Sequence, residues 1–373
     1  MAKTKSEPLF HIAKRADMTL KKAILIRVVA IVAALILCAI ITMITTGLNP
    51  LSVYGSMANG AFGTVRKSWI TAQDTSILLL IALALTPAFK MKFWNIGGEG
   101  QVLVGALATS AVMLKLAPYL PHPALVAVML VAAILAGGIW GVLPAICKAK
   151  WNTNETLFTL MMNYIATQLT AFYIIVWEYP KGAGKVGIIN ADTELGWLPR
   201  IGNFIGGKYV LTIFIAVLTT VAMFAYLYYS KQGYEICVVG ESENTARYVG
   251  INVGKVIIRT MFISGAICGL TGFILVAGVH QTITTSLVGG QGFTAVMVSW
   301  LAKFNPLIMI FASLLIVFLK KGAGEVASSC GLNESFSEIL TGIIIFFIIG
   351  CEFFIRYKIV FNKKSAKGGN GNV

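Results

Sequence analysis

Any chemistry at membrane depth in this chain starts from one carboxylate. Glu99 is the only acidic residue within the first seven long apolar runs, and it stands in Asn95-Ile96-Gly97-Gly98-Glu99-Gly100-Gln101. An ionisable side chain in such a run is costly unless it is paired or faces water. Three neighbouring glycines allow an unwound turn or a close backbone approach. Asn95 and Gln101 add amides beside it. Two readings stay open. Glu99 lines a polar path together with Asn95, Gln101, Asn163, Gln291 and Phe293. Alternatively it is a structural anchor, capping backbone N–H groups near a helix start or pairing with Lys90 or Lys92. A proton-relay role for Glu99 is a third possibility.

No catalytic constellation accompanies it. There is no H-E-x-x-H, no G-x-S-x-G and no cluster with metal-ligand spacing. The six cysteines include no C-x-x-C pair, and the three histidines, His11, His122 and His280, are far apart. Gly182-Ala183-Gly184-Lys185 has a faint likeness to a phosphate-binding loop, but Val186 replaces the Ser/Thr. The reading is a protein that is not an enzyme, with no metal site and no cofactor of its own.

The elements that must position these residues are apolar helices. Of 373 residues, 57% are hydrophobic and 12% charged, about half the charged share of an average soluble domain. The apolar runs 28–46, 76–89, 96–116, 125–147, 156–177, 209–230, 260–280, 287–302, 306–319 and 336–351 give about ten segments in an all-α polytopic membrane protein. The shorter runs suit tilted, re-entrant or broken helices. The net charge of +15 does not imply nucleic acid, because the basic residues cluster between apolar runs. With the N-terminus inside, most of the 30 Lys and Arg fall on the cytoplasmic side. Both termini are then cytoplasmic. Residues 1–27 form a basic tail, 28–355 the transmembrane domain, and 356–373 a second basic, flexible tail whose end, 363–373, is expected to be disordered.

Gly289-Gly290-Gln291-Gly292-Phe293 echoes the Glu99 motif. Both contain G-G-x-G before an apolar run, and each run ends in Lys-x-x-Pro, at Lys115 and Lys303. An inverted repeat of segments 2–5 and 7–10 would produce this pairing. Gly265, Gly269 and Gly272 on the seventh segment, and Gly137 and Gly141 on the fourth, read as helix-packing stripes. Two outer loops, 47–75 and 178–208, are either connectors or meeting points for a partner. In the inner loop 231–255, Ser242 through Gly250 reads as a short helix. Ser242 or Asn244 can cap its start and Gly250 can close its end. Such a helix docks on a partner or is a plain connector.

The ordered set of motifs resembles the permease subunits of bacterial ABC importers in the ribose/nucleoside branch. The Asn95–Gln101 stretch looks like that branch's N-I-G-x-E-G-Q motif. Asn154-Glu155 with Met162-Asn163-Tyr164, the stretch 240–252, Ser264-Gly265-Ala266, and Gly292-Phe293 with Asn305-Pro306 follow in family order. Ser242 and Thr245 depart from the residues common there.

The resemblance implies a multi-pass protein of the bacterial plasma membrane. It would form a path for a small-molecule substrate, purine nucleosides foremost, with ribose or another simple sugar as the alternative. A proton-coupled secondary transporter using Glu99 is the alternative of another class. Implied partners are an ATPase subunit that uses the ATP, a second permease (identical or a paralogue), an extracytoplasmic substrate-binding lipoprotein and the lipid bilayer. The coupling element would comprise Glu241, Ser242, Asn244, Ala246, Arg247, Tyr248 and Gly250.

Overall fold

The computed structural model describes residues 10–14, 19–47, 49–178, 180–202, 204–329 and 334–361. The expected disorder of 363–373 falls outside this set. Regular structure among these residues is helical, apart from two five-residue strands. Eight helices are long and apolar enough to cross a membrane, and Ile339–Ile355 is a shorter apolar helix. The ten expected segments all fall on helices, but the eighth is α11 (Gln291–Leu301), too short to cross alone.

Contacts divide the chain into two units. The first holds 1–60 and 322–373. Here α1 (Leu20–Thr46) packs on α13 (Glu334–Arg356), with the Cys38 thiol donating to the Leu340 carbonyl. Two sequence boundaries shift in this unit. α1 opens at Leu20, inside the stretch read as tail, because Leu20 to Arg27 continues the helical run. The tail read as flexible from 356 is not so at its start. Strand β2 (Tyr357–Phe361) pairs antiparallel with β1 (Phe10–Lys14). Alternating aromatic and β-branched residues favour that pairing.

The second unit, 61–321, is built around α3 (Val65–Lys90), which is buried along nearly all of residues 71–89. Its polar start, Arg66, Lys67 and Asp74, hid it from hydropathy, so the sequence places the segment only from 76. Asp74 is neutralised by Lys321, 2.6 Å away. Thr64 caps the helix by accepting from the Lys67 N–H. Against α3 pack α4 (Gly98–Leu116), α7 (Val210–Tyr229), α10 (Val253–Phe273) and α11; α5 (His122–Trp151) packs on α4 and α10, and α6 (Glu155–Trp177) on α4.

The tightest packing joins α10 to α5 and α4. A Cβ at Gly105 would sit 2.5 Å from the Gly269 Cα, and one at Gly141 would sit 2.7 Å from the Met261 carbonyl oxygen. Methyl groups at Gly137, Gly265, Gly269 or Gly272 would collide with a facing backbone carbonyl. Only a glycine stripe lets these three backbones touch. Beyond Phe273 the helix widens into π turns over Ile274–His280. The loop 178–208 docks there: Ile189 N–H donates to the Gln281 carbonyl (2.8 Å) and Leu198 N–H to the Ala277 carbonyl (2.9 Å). The loop is thus anchored at Ile189 and Leu198, while most of its other residues are exposed. Trp197 closes it by donating to the Ile189 carbonyl (2.9 Å).

Candidate functional site

The two Gly-rich echoes meet. Residues 97–100 open α4 and residues 289–292 open α11. The Glu99 carboxylate accepts from the Gly290 N–H at 2.9 Å and the Gly292 N–H at 2.7 Å. These are charge-assisted bonds to the free donors at the start of α11. Glu99 therefore caps a helix start, but that of α11 and not its own, and it does not pair with Lys90 or Lys92. Gly292 must be glycine, since a Cβ there would run into the Glu99 backbone and sit 2.7 Å from its Oε2.

On the other side of α4, three amides form a buried network. Asn95 donates to Ser264 Oγ (3.1 Å) and accepts from Gln101 Nε2 (3.2 Å) and the Gly97 N–H (3.0 Å). Asn163 on α6 accepts from the Gly100 N–H (2.8 Å) and donates to the Ile96 carbonyl (2.9 Å). Thr159, one turn earlier, accepts from the Ile96 N–H (3.2 Å). A Cβ at Gly100 would sit 2.8 Å from the Asn163 Oδ1, so that bond too depends on glycine.

Asn95, Gln101 and Asn163 are buried, at 0%, 1% and 5% exposure. Expected to line an open path, they are instead enclosed: Asn95 and Gln101 are bonded to each other, and Asn163 to the backbone of Ile96 and Gly100. They hold the irregular turn between α3 and α4, whose backbone groups need partners inside a membrane. Gln291 is partly buried, and its Oε1 has no hydrogen-bond partner among the described residues. Phe293 is 43% exposed. Ser264 and Thr159 complete the network and were not singled out from sequence. A hydroxyl on an apolar helix gives no signal until its partner is known.

Below this network lies an aromatic cluster. Trp94 stacks on Trp300 (5.4 Å between centroids) and Phe89 on Phe304 (6.1 Å). With Lys90, Lys92, Cys237, Gly240 and Glu241 they line a cleft of about 360 Å³.

The arm beside the cleft is α8 (Lys231–Glu241) and α9 (Glu243–Tyr248). Ser230 caps α8 through the Gly233 N–H, and Ser242 caps α9 through the Thr245 N–H at 3.2 Å. Gly250, at φ +84°, ends the turn. The short helix of the sequence reading is present, and Ser242 rather than Asn244 is its cap. Ala246 is fully buried and Tyr248 is 93% exposed. Ala246 therefore seats the helix, its carbonyl accepting from the Ile251 N–H (2.9 Å), while Glu243, Asn244, Arg247 and Tyr248 present its outer face. Glu235 of α8 is tied to Arg259 of α10 at 3.0 Å. Gly240 lies so close to the Lys90 carbonyl that no Cβ fits between them. The arm thus bears directly on the turn that carries Asn95.

A family model described as "Branched-chain amino acid transport system / permease component" matches residues 70–349. That range takes in the Glu99 clamp, the amide network and the α8–α9 arm. The chain belongs to this permease family. Among relatives, a guanosine ABC transporter permease protein of Bacillus subtilis (NupP) is 31% identical over 350 residues, 93% of this chain and 98% of that protein. A nucleoside ABC transporter permease protein of Lactococcus lactis (NupB) is 28% identical, over 88% of this chain and 91% of that one. A glucose ABC transporter permease protein of Haloferax volcanii (TsgB13) is 27% identical, over 86% and 85%. The permease is thus a multi-pass membrane protein of the ABC transporter class.

Proposed function

We propose that this permease forms the membrane path of an ATP-driven importer of nucleosides, purine nucleosides foremost. The observation that carries the reading is the end-to-end similarity to a guanosine permease, which covers 93% of this chain and 98% of that protein. A relative named for glucose keeps a simple sugar as the second reading. A separate ATPase would use the ATP, a second permease would complete the path, and a substrate-binding lipoprotein would deliver the ligand outside. The termini and α9 would face the cytoplasm.

The geometry suggests how motion would pass through the chain. An ATPase that grips α9 would move α8, because Ser242 joins them with no spare residues. α8 would push the 90–95 turn through Gly240 and pull α10 through Glu235–Arg259. Both lead to the Asn95 network, where α4, α6 and α10 are bonded together. A shift there would be rigid-body movement of packed helices.

The test is uptake of labelled guanosine by cells carrying the whole importer. Uptake should stop when the partner ATPase is inactivated and should survive a proton uncoupler while ATP is maintained. Uptake that persists without the ATPase and collapses with the uncoupler would overturn the reading in favour of proton coupling. Absence of guanosine uptake together with ATPase-dependent uptake of labelled glucose or ribose would shift the substrate to a sugar. Arg247→Glu should leave the protein in the membrane but uncouple hydrolysis from uptake.

A further inference from the structure

α6 has two faces of different character. One stripe, Thr159, Met162, Asn163, Ala166, Thr170 and Ile174, is buried. The opposite stripe, Leu157, Met161, Tyr164, Gln168, Phe172 and Ile175, is exposed. Two of these six carry polar groups in the middle of the helix. Gln168 lies about 20 Å along the axis from Glu155 and about 14 Å from Trp177, at 1.5 Å per residue. Tyr164 lies one turn away. Neither side chain has a hydrogen bond to another described residue.

The outward faces of the other peripheral spans differ. They present Val128, Val131, Leu135 and Ile139 on α5, and Phe214, Val217, Leu218 and Val221 on α7. These are faces that hydrocarbon solvates well. A carboxamide in lipid would leave its two donors and its acceptor unpaired, which the bilayer core penalises heavily. The α6 face is therefore not a lipid face.

We propose that this stripe of α6 borders the aqueous translocation path, and that Tyr164, Gln168 and Phe172 contact the solute. The stripe carries no charge, so it suits a neutral solute. Gln168 offers both a donor and an acceptor, as the edge of a nucleobase requires. Tyr164 and Phe172 stand one helical turn, about 6 Å, to either side of it. Their rings offer flat apolar surfaces to a planar base. The assignment of the solute rests on the nucleoside reading above; the assignment of the water-filled face does not.

The experiment uses the complete importer in native membranes, with its native cysteines replaced and single cysteines introduced. The variants are Gln168→Cys and Tyr164→Cys, with Leu135→Cys and Val221→Cys as lipid-face references. A charged, membrane-impermeant methanethiosulfonate reacts with thiols in water. Positions 164 and 168 should label faster than 135 and 221 by about tenfold or more, and excess guanosine should slow labelling at 168. Labelling at 168 as slow as at 135 overturns the path assignment in favour of lipid. An oxidative cross-link between two copies of the 168 variant, without labelling, overturns it in favour of a dry subunit interface. Fast labelling that neither guanosine nor inosine alters overturns the contact assignment.

A second variant, Gln168→Leu, guards against misfolding of the cysteine series. Leucine is tolerated on a lipid face, so unchanged uptake would also overturn the proposal. A raised KM for guanosine at unchanged protein level in the membrane is the expected result. Failure of the nucleoside reading itself would show differently, as no guanosine uptake by the unmodified importer with labelling at 164 and 168 still fast.

Discussion

Two glutamates in this permease make the same pair of bonds in opposite contexts. Glu99 accepts from the N–H groups of Gly290 and Gly292, and Glu178 from those of Gly182 (2.8 Å) and Gly184 (2.7 Å). Each holds two glycine donors one residue apart. Glu178 closes a loop on itself within six residues. Glu99 joins segments some 190 residues apart in the chain. The local bond costs little chain entropy to form and adds little to the whole. The distant bond fixes the start of α11 against α4. The difference shows that the value of a carboxylate cradle lies in what its loss would strand.

Removing the carboxylates tests that contrast most strongly. Glu99→Ala leaves the N–H groups of Gly290 and Gly292 without their acceptor and should destabilise the protein on the order of 3 kcal/mol, given about 1–3 kcal/mol for each unsatisfied group. Glu178→Ala should shift the melting temperature of purified protein far less. Equal shifts would break the comparison. The next largest effect is expected at the other end of the bond. Gly292→Ala places a methyl group against Glu99 and should force the two helix starts apart. Because both changes remove one contact, the double variant Glu99→Ala/Gly292→Ala should be much less harmful than the two effects added. Additivity would mean that the clamp is not the cause.

The sequence displayed the parts of this clamp but not their meeting. Ten apolar runs located ten helices because hydrophobic length is a strong signal in a membrane chain. The Ser242 cap located α9 because capping is a local rule. The G-G-x-G echo was visible, and so was the oddity of Glu99. What could not be read was which donors Glu99 serves, since the separation in sequence carries no geometric information. Residues 50–62 and 65–75 were read as loop. Their Ser, Gly, Asn and charged residues break the hydropathy pattern, yet both stretches are helical, as α2 (Pro50–Phe62) and the start of α3. The π turns after Phe273 were equally invisible, because their widening is stabilised by loop residues 189 and 198 rather than by the helix's own sequence. The amides of Asn95, Gln101 and Asn163 were expected along a path, and the structure buries them. Polarity in an apolar run marks either a path or an internal knot, and only burial separates the two.

Between the extremes of removal and retention stands Glu99→Gln. The amide oxygen can still accept from one glycine, but the NH2 group then faces the other N–H. One charge-assisted bond is lost and the other becomes neutral, so the effect should be a fraction of that of Glu99→Ala. A melting temperature close to that of Glu99→Ala would mean that the cradle needs both oxygens at full charge. One indistinguishable from wild type would mean that a single acceptor suffices. Guanosine uptake with this variant should keep its pH profile, since in this arrangement the carboxylate works as a cap and not as a carrier. A flattened profile would return Glu99 to the role of a proton site.

The smallest effect belongs to Glu178 and is best seen by pH. Its two glycine donors hold its carboxyl below the usual carboxylate range. The folded-state pKa is thus below the unfolded value of about 4.3. The stabilisation of the loop is then complete above that value and disappears as pH falls through the lower, folded one. Hydrogen exchange at the Gly182 and Gly184 amides reads this directly. Protection should be constant from neutral pH down to the unfolded pKa, once corrected for intrinsic rates, and should fall below it. Glu178→Gln should show reduced protection at every pH. Glu178→Gln should leave the protection of the Gly290 and Gly292 amides unchanged, because their acceptor is Glu99. Loss of protection at both pairs together would mean that the two cradles open as one unit, and the contrast between local and distant clamps would fail.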